Sequence, residues 1–242
     1  MSLHKTRGIV LHKINYAESS VIVKVYTDLF GLQTYLLKGV RKKKPLISPS
    51  LLQHLSLLEL VVYHKETADI QHIRELRPAY AFAHIPFDIR KSSLAIFINE
   101  VVYKALKEEE PNQELFEFLY TAIVLLDEVE DHLGTFHIWF CIQFSRFLGF
   151  FPNDNFDQNH AWFDLREGLY VNTPPIHQQY LSKELSQLLF HFTCLSPLTM
   201  ADVTITVGQK KQLLVALMDY YRIHLQGFGE IKSRKILEQV LA

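Results

Sequence analysis

The sequence predicts an α+β chain of two domains: a five-stranded barrel over residues 1–80, then a mostly α-helical domain over 81–242 carrying a small β-hairpin. Three observations carry this. Up to residue 80, β-branched and aromatic residues gather in short runs separated by turn signals. After Pro78, apolar residues recur at three- and four-residue spacing. The charge divides at the same place. Residues 1–80 hold 12 Lys and Arg against 6 Asp and Glu, residues 81–140 hold 4 against 11, and residues 141–242 hold 9 of each.

The first strand is expected over 7–14, around Ile9, Val10 and Leu11. The second, 20–27, alternates Val21, Val23 and Val25 with Ile22, Lys24 and Tyr26, the period-two pattern of a half-buried strand. Asp28-Leu29-Phe30-Gly31 is a turn in which Gly31 can adopt positive φ. Strands at 32–40, 56–64 and 70–76 follow, with a short helical connection over 48–52. Five strands with a helical piece between the third and fourth are the inventory of the oligonucleotide-binding barrel. An SH3-like barrel is the structural competitor.

The helical domain begins with 92–107, capped by Ser92 or Ser93 and ended by Glu108-Glu109-Glu110-Pro111-Asn112. A second helix is expected over 112–130. A third, over 133–148, is apolar enough to be central to its core and is terminated by Gly149 and Pro152. Residues 153–175 are rich in Asn and Asp, with a hairpin of 162–165 and 168–171 closed by Pro174-Pro175. Helices at 181–193, 208–225 (capped by Gly227) and 232–241 complete the chain.

The 242 residues are 48% hydrophobic and 21% charged, a globular composition rather than a disordered one. The formal net charge of −1 hides the basic head and acidic middle, and it is the distribution that selects partners. Two cysteines, Cys141 and Cys194, exclude a disulfide scaffold and a four-cysteine zinc site. Both sit in apolar surroundings and are expected to be buried free thiols. The start, MSLHKTRGIVLHK, has no apolar signal core, and no run approaches the ~20 residues of a membrane helix, so no membrane partner is expected.

Enzyme motifs are absent: there is no P-loop, Gly-x-Gly-x-x-Gly, Gly-x-Ser-x-Gly or His-Glu-x-x-His. No catalytic residue, cofactor or metal is expected. Glu128 with His132 reads as a solvated helix end. His191-x-x-Cys194, near His160 and His177, lacks the paired thiolates of a structural zinc site. The strongest local signal is Lys38-Gly39-Val40-Arg41-Lys42-Lys43-Lys44-Pro45, five cations entering a loop after the third strand. Such a run is a solubilising charge cluster or a phosphate-contacting rim. In the second case each cation meeting a phosphate releases a counterion and gives salt-dependent affinity. Arg7 and Lys24 extend the stripe, and Tyr26, Tyr35 and Tyr63 are candidate stacking platforms or barrel core. Phe144, Phe147, Phe150, Phe151 and Trp162 are core by default. Arg146 among them would suit a carboxylate, so Arg146, Phe147, Phe150 and Phe151 form a candidate groove for a partner peptide.

In order along the chain, these segments resemble the bacterial RecO family. Gly8-Ile9-Val10-Leu11 opens the first strand. Asn15-Tyr16-Ala17-Glu18-Ser19-Ser20 is similar to the family's turn into the second. Tyr26-Thr27-Asp28-Leu29-Phe30-Gly31, Leu37-Lys38-Gly39-Val40-Arg41-Lys42 and Leu51-Leu52-Gln53-His54 resemble its next segments. Tyr220-Tyr221-Arg222-Ile223-His224-Leu225 and Leu237-Glu238-Gln239-Val240-Leu241 resemble its C-terminal helices. The resemblance implies a cytoplasmic, non-enzymatic mediator of DNA repair and recombination with an oligonucleotide-binding barrel and a helical domain. It implies binding of single- and double-stranded DNA, annealing, and loading of RecA onto strands coated by single-strand-binding protein. RecR, RecF and the acidic C-terminal tail of that coating protein are the implied partners. Many members carry a four-cysteine zinc module after a Leu-Gly-x-x-Pro stretch. Here Leu148-Gly149-Phe150-Phe151-Pro152 is present without the cysteines, so a zinc-free hairpin is expected at 153–175. The alternative reading of the chain is a protein-interaction scaffold whose barrel docks partners and not DNA.

Overall fold

The computed structural model describes residues 2–40, 47–107, 110–130, 133–196, 199 and 203–241. It divides into two compact units, Met1–Glu128 and Val129–Ala242. The change from strands to helices falls earlier, because the first two helices belong to the barrel's unit. Among the described residues, no helix is long and apolar enough to cross a membrane.

The first unit is a closed barrel in the order β1-β2-β3-β5-β4, formed by β1 (Ser2–Tyr16), β2 (Ser20–Thr27), β3 (Gly31–Leu37), β4 (Leu57–His64) and β5 (Gln71–Pro78). A 3₁₀ turn, Pro49–Leu52, lies between β3 and β4. This order, with β3 and β5 parallel, is the oligonucleotide-binding topology rather than the SH3-like one. Gly31 has φ +62, as a tight β2–β3 turn requires.

β1 starts five residues before its apolar run, because Ser2 to Ile9 pair antiparallel with His64 to Leu57 of β4. Backbone pairing extends it where side-chain pattern does not. Inward residues alternate as the pleat demands: Val21, Val23 and Val25 of β2 meet Tyr35 and Leu37 of β3 and Leu58, Leu60 and Val62 of β4. Tyr26 and Tyr35 are buried in the unit, at 2% and 0% exposure, so neither is a stacking platform; Tyr63 is half-buried. β3 ends at Leu37, short of the expected residue 40. Val40 nevertheless remains in the barrel core, and Ile47 packs against that core.

Helix α1 (Ile89–Ala105) packs on β1, and α2 (Gln113–Glu128) packs on α1. Asp88 caps α1, its side chain accepting from the Arg90 N–H at 2.8 Å. The expected caps are instead inside the helix: Ser92 donates to the Ile85 carbonyl and Ser93 to that of Ile89. Asn112 caps α2 by accepting from the Leu115 N–H at 2.9 Å.

The second unit is built on α3 (Leu133–Phe147), buried on nearly every face. α4 (Lys183–Cys194) and α5 (Val207–His224) pack on it, and α6 (Arg234–Val240) follows. Tyr221 donates from its hydroxyl to the Cys141 carbonyl at 2.7 Å, joining α5 to α3. Cys141 is buried. Cys194 is exposed, contrary to expectation, because the last turn of α4 turns it outward. The hairpin of β6 (Trp162–Asp164) and β7 (Leu169–Val171) stands where a zinc-free hairpin is expected. The Asn155 side chain clamps the Tyr170 backbone, accepting from its N–H at 2.9 Å and donating to its carbonyl at 2.8 Å. Asp164 accepts from the Arg166 N–H at 2.8 Å and lies 3.2 Å from His177 Nε2. Gly168 has φ +69, and a Cβ there would sit 2.8 Å from the Tyr220 hydroxyl. Only glycine fits this turn.

Candidate nucleic-acid interface

The outer faces of β1, β4 and β5, with the end of β3, enclose a groove of about 950 Å³. Strand register explains its lining. Arg7 is opposite Glu59, which is opposite Arg77; Lys5 is opposite Val61, which is opposite Glu75. The same face therefore repeats across three strands. Lys5, Arg7, Lys38, Arg74 and Arg77 line the groove against Asp28, Glu59 and Glu75, an excess of positive charge.

Most of these cations have carboxylate partners. Arg77 pairs with Glu59, and Arg74 with Glu75 at 3.3 Å. Arg7 is held most firmly. Its Nε donates to Asp28 at 3.0 Å and its Nη atoms to Glu117 of α2, while the guanidinium lies 4.9 Å from the Phe116 ring centroid. Its bond to Glu117, against the opposing effect of burial and with Asp28 adding to it, raises the Arg7 pKa; Arg7 in turn lowers that of Glu117. Arg7 thus ties α2 to the barrel. Lys5 and Lys38 have no ion pair among the described residues.

Lys38 and Ile47, which flank the basic loop, both line the groove. Arg41, Lys42, Lys43 and Lys44 lie outside the described residues. Lys24 does not line the groove. It is the cross-strand partner of His12 on β1, and its ammonium lies 5.6 Å from the Tyr103 ring of α1. The expected stripe of Arg7, Lys24 and Lys38 is therefore not one surface: Arg7 and Lys38 share the groove and Lys24 stands apart from it.

The acidic stretch 81–140 is partly consumed by internal contacts. Glu117 pairs with Arg7, Glu100 with Lys104 at 2.9 Å, and Asp88 with Arg90 at 2.8 Å. Asp127, with no exposed side-chain surface, accepts from the N–H groups of Ala83, His84 and Ile85 at 2.7–2.9 Å. Nothing in the residue pattern pointed to Asp127, because its partners lie more than 40 positions away.

In the helical unit, the guanidinium of exposed Arg146 lies 3.8 Å from the half-buried Phe151 ring centroid, and Phe147 beside it is half-buried. Phe150 is different. It is 7% exposed and stacks at 5.3 Å on His224, with Tyr220 and Tyr221 edge-on, so it is core and not groove. A second, smaller pocket of about 200 Å³ lies between α3, α5 and α6, where Lys210 and Lys211 border Leu214, Leu237 and Leu241. His137 lines it, its pKa pushed down to about 3 by burial and then by Lys210, so it is neutral at pH 7. Among the described residues, no group of three or more His, Cys, Asp or Glu could hold a metal ion.

An oligonucleotide-binding barrel with a positively charged groove, followed in the chain by a helical unit, defines a class of two-part proteins with a nucleic-acid-binding fold. Comparison with known proteins narrows this. The family model for the recombination protein O N terminal matches residues 1–82, and that for the recombination protein O C terminal matches 86–235. DNA repair protein RecO of Phocaeicola vulgatus is 34% identical over 240 residues, covering 99% of this chain and all of that protein. The same protein from Azobacteroides pseudotrichonymphae is 34% identical (98% and 99% covered), and that from Flavobacterium psychrophilum 32% (98% and 99%). The chain belongs to the RecO family of DNA repair proteins.

Proposed function

We propose that this chain is a non-enzymatic mediator of DNA repair and recombination. It binds single- and double-stranded DNA on the barrel, anneals complementary strands, and helps load RecA onto strands coated by single-strand-binding protein, acting with RecR and with RecF. The observation that carries this is where the residues on either side of the basic loop lie. Its flanking residues Lys38 and Ile47 line a positively charged groove on a barrel of oligonucleotide-binding topology. Lys38, Arg41, Lys42, Lys43 and Lys44 are the principal backbone contacts, with Lys5 added. The loop's cations offset the repulsion between two phosphate backbones, which is what annealing requires. Arg7, already neutralised by two carboxylates, supports this surface by fixing its shape.

The test is fluorescence anisotropy of labelled single-stranded DNA across a salt titration. The unaltered protein is expected to bind tightly at low salt with a steep negative slope. Reversing Lys42, Lys43 and Lys44 to Glu should make the slope of log K against log salt shallower by about 2, since each lost single-strand phosphate contact removes about 0.7. The melting temperature should not change. An unchanged slope would remove the loop from the interface, and no binding at low salt would favour the scaffold reading.

The helical unit is the proposed seat for the acidic tail of single-strand-binding protein. Arg146 over Phe151, with Phe147 beside it, offers a basic edge on apolar surface; the Lys210–Lys211 pocket offers the same chemistry between α3, α5 and α6. Arg146→Glu is expected to weaken binding of a labelled acidic tail peptide at least tenfold. If only Lys210→Glu with Lys211→Glu does so, the tail sits between α3, α5 and α6.

A further inference from the structure

We propose that Lys24, His54 and His12 form a second phosphate-contact site on the α1 side of the barrel, separate from the groove, which holds the backbone of a second DNA strand. This rests on the DNA-binding reading above and extends it. Three segments distant in sequence converge there on one face of α1. His12 and Lys24 are register partners across β1 and β2. The His12 ring stacks on Tyr103 at 4.8 Å, and the Lys24 ammonium lies 5.6 Å from the same ring. One helical turn earlier on α1, Asn99 meets His54 at 3.1 Å.

The hydrogen bonds fix what His54 presents. Asn99 is 5% exposed, and its Nδ2 donates to the Leu11 carbonyl at 2.9 Å, which sets the orientation of the amide. That nitrogen has only protons to offer, so His54 Nδ1 accepts and the imidazole proton resides on Nε2. The exposed His54 thus presents an N–H donor from Nε2. Two backbone irregularities build the site. The β1–β2 ladder shifts register between Val10 and His12, and buried Leu55 is held at φ +62 next to His54. A non-glycine residue in that region is strained, and strain of this kind is retained where the surroundings impose it.

Arg7, Arg74 and Arg77 in the groove are paired with carboxylates, whereas Lys24, His12 and His54, like Lys5 and Lys38 of the groove, have no carboxylate partner among the described residues. Glu100, on α1 between Asn99 and Tyr103, is paired with Lys104. Burial lowers the His12 pKa, with His54 and Lys24 adding to the effect, so the three groups stand close together. A phosphate oxygen supplies the missing acceptor. None of the three residues lines the groove, so the two sites address different backbones.

The test counts short single-stranded oligonucleotides bound per chain by native mass spectrometry of the full chain, with melting temperature as the control for folding. The unaltered protein is expected to bind two. Lys24→Glu with His54→Ala should retain the first and weaken the second at least tenfold; His54→Ala alone, at an exposed position, should weaken the second severalfold with no change in melting temperature. Two oligonucleotides bound with unchanged constants by both variants would overturn the site. One oligonucleotide per unaltered chain would overturn it and leave the DNA-binding reading intact, whereas none at low salt would overturn both.

Discussion

Asp127→Ala is expected to lower the stability of the N-terminal unit by about 3–5 kcal/mol. The Asp127 carboxylate has no exposed surface, and it accepts from three consecutive backbone N–H groups, at Ala83, His84 and Ile85, and from the Tyr80 hydroxyl at 3.2 Å. The buried Lys91 ammonium donates to the Asp127 carbonyl beside it. Removing the carboxylate leaves those amides without their acceptor, and each buried unsatisfied donor costs about 1–3 kcal/mol. The effect is pH-dependent. Burial alone would raise the Asp127 pKa, but the hydrogen bonds from Ile85, Ala83, His84 and Tyr80 more than offset it, so the carboxyl stays below its ordinary value. A group depressed in the folded state contributes fully above its unfolded pKa, near 4 for Asp, and loses that contribution as pH falls through the folded value. Urea melts from pH 7 downward should show this acid loss in the unaltered protein and a flatter curve in Asp127→Asn. A change below about 1 kcal/mol for Asp127→Ala would show that water replaces the carboxylate.

Tyr220→Ala is expected to cost the helical unit about 3–5 kcal/mol and to release the hairpin. Tyr220 lies where α5 meets the hairpin of β6 and β7. Its ring is edge-on to Phe163 at 5.5 Å, to Phe150 at 5.4 Å and to His224 at 4.5 Å. Its hydroxyl donates to the Phe150 carbonyl at 2.7 Å and fills the space that Gly168 leaves without a Cβ. Beyond it, Phe163 contacts Tyr170, which packs against Phe156 and Phe190. A chain of aromatic contacts thus ties the hairpin to α4 and α5. Tyr220→Phe, which removes only the hydroxyl, should cost about 1 kcal/mol. Hydrogen exchange should show loss of protection at the Asn155-clamped Tyr170 amide in the alanine variant, and a chelator should leave the unaltered melting temperature where it was. A chelator-induced drop would place a metal in this unit.

Element type was legible because periodicity is a local property. The β2 alternation of Val21, Val23 and Val25 and the run from Leu133 to Phe147 each report their own environment. Boundaries failed where the cause was not local. β1 begins at Ser2 because β4 pairs with it, although Leu3 and Lys5 face solvent. The cap of α1 is Asp88, hidden between exposed Phe87 and Ile89, whose apolar side chains do not follow the buried pattern. The basic loop was legible as a charge run. Arg7 was not legible as a tether, since Glu117 is 110 positions away, and Lys24 could not be separated from the groove without the barrel's register. Phe150 and Phe151 are neighbours in sequence, yet past the left-handed turn at Gly149 one is buried and the other half-buried.

The barrel is closed by a narrow seam. β3 and β5 meet through only two register pairs, Tyr35 with Gln71 and Leu36 with His72, whereas β1 pairs with β4 over eight. Parallel pairing is also the weaker kind per residue. A ring parts at its thinnest link, so the two ladders on either side of the seam set the barrel's resistance while the seam sets its compliance. Lys38 follows the seam directly in β3's direction, and Gln71, on its other side, is pinned by bonds to the Lys65 backbone. The weakest link of the ring therefore lies beside Lys38, and the ladder of β1 with β4 is among its strongest.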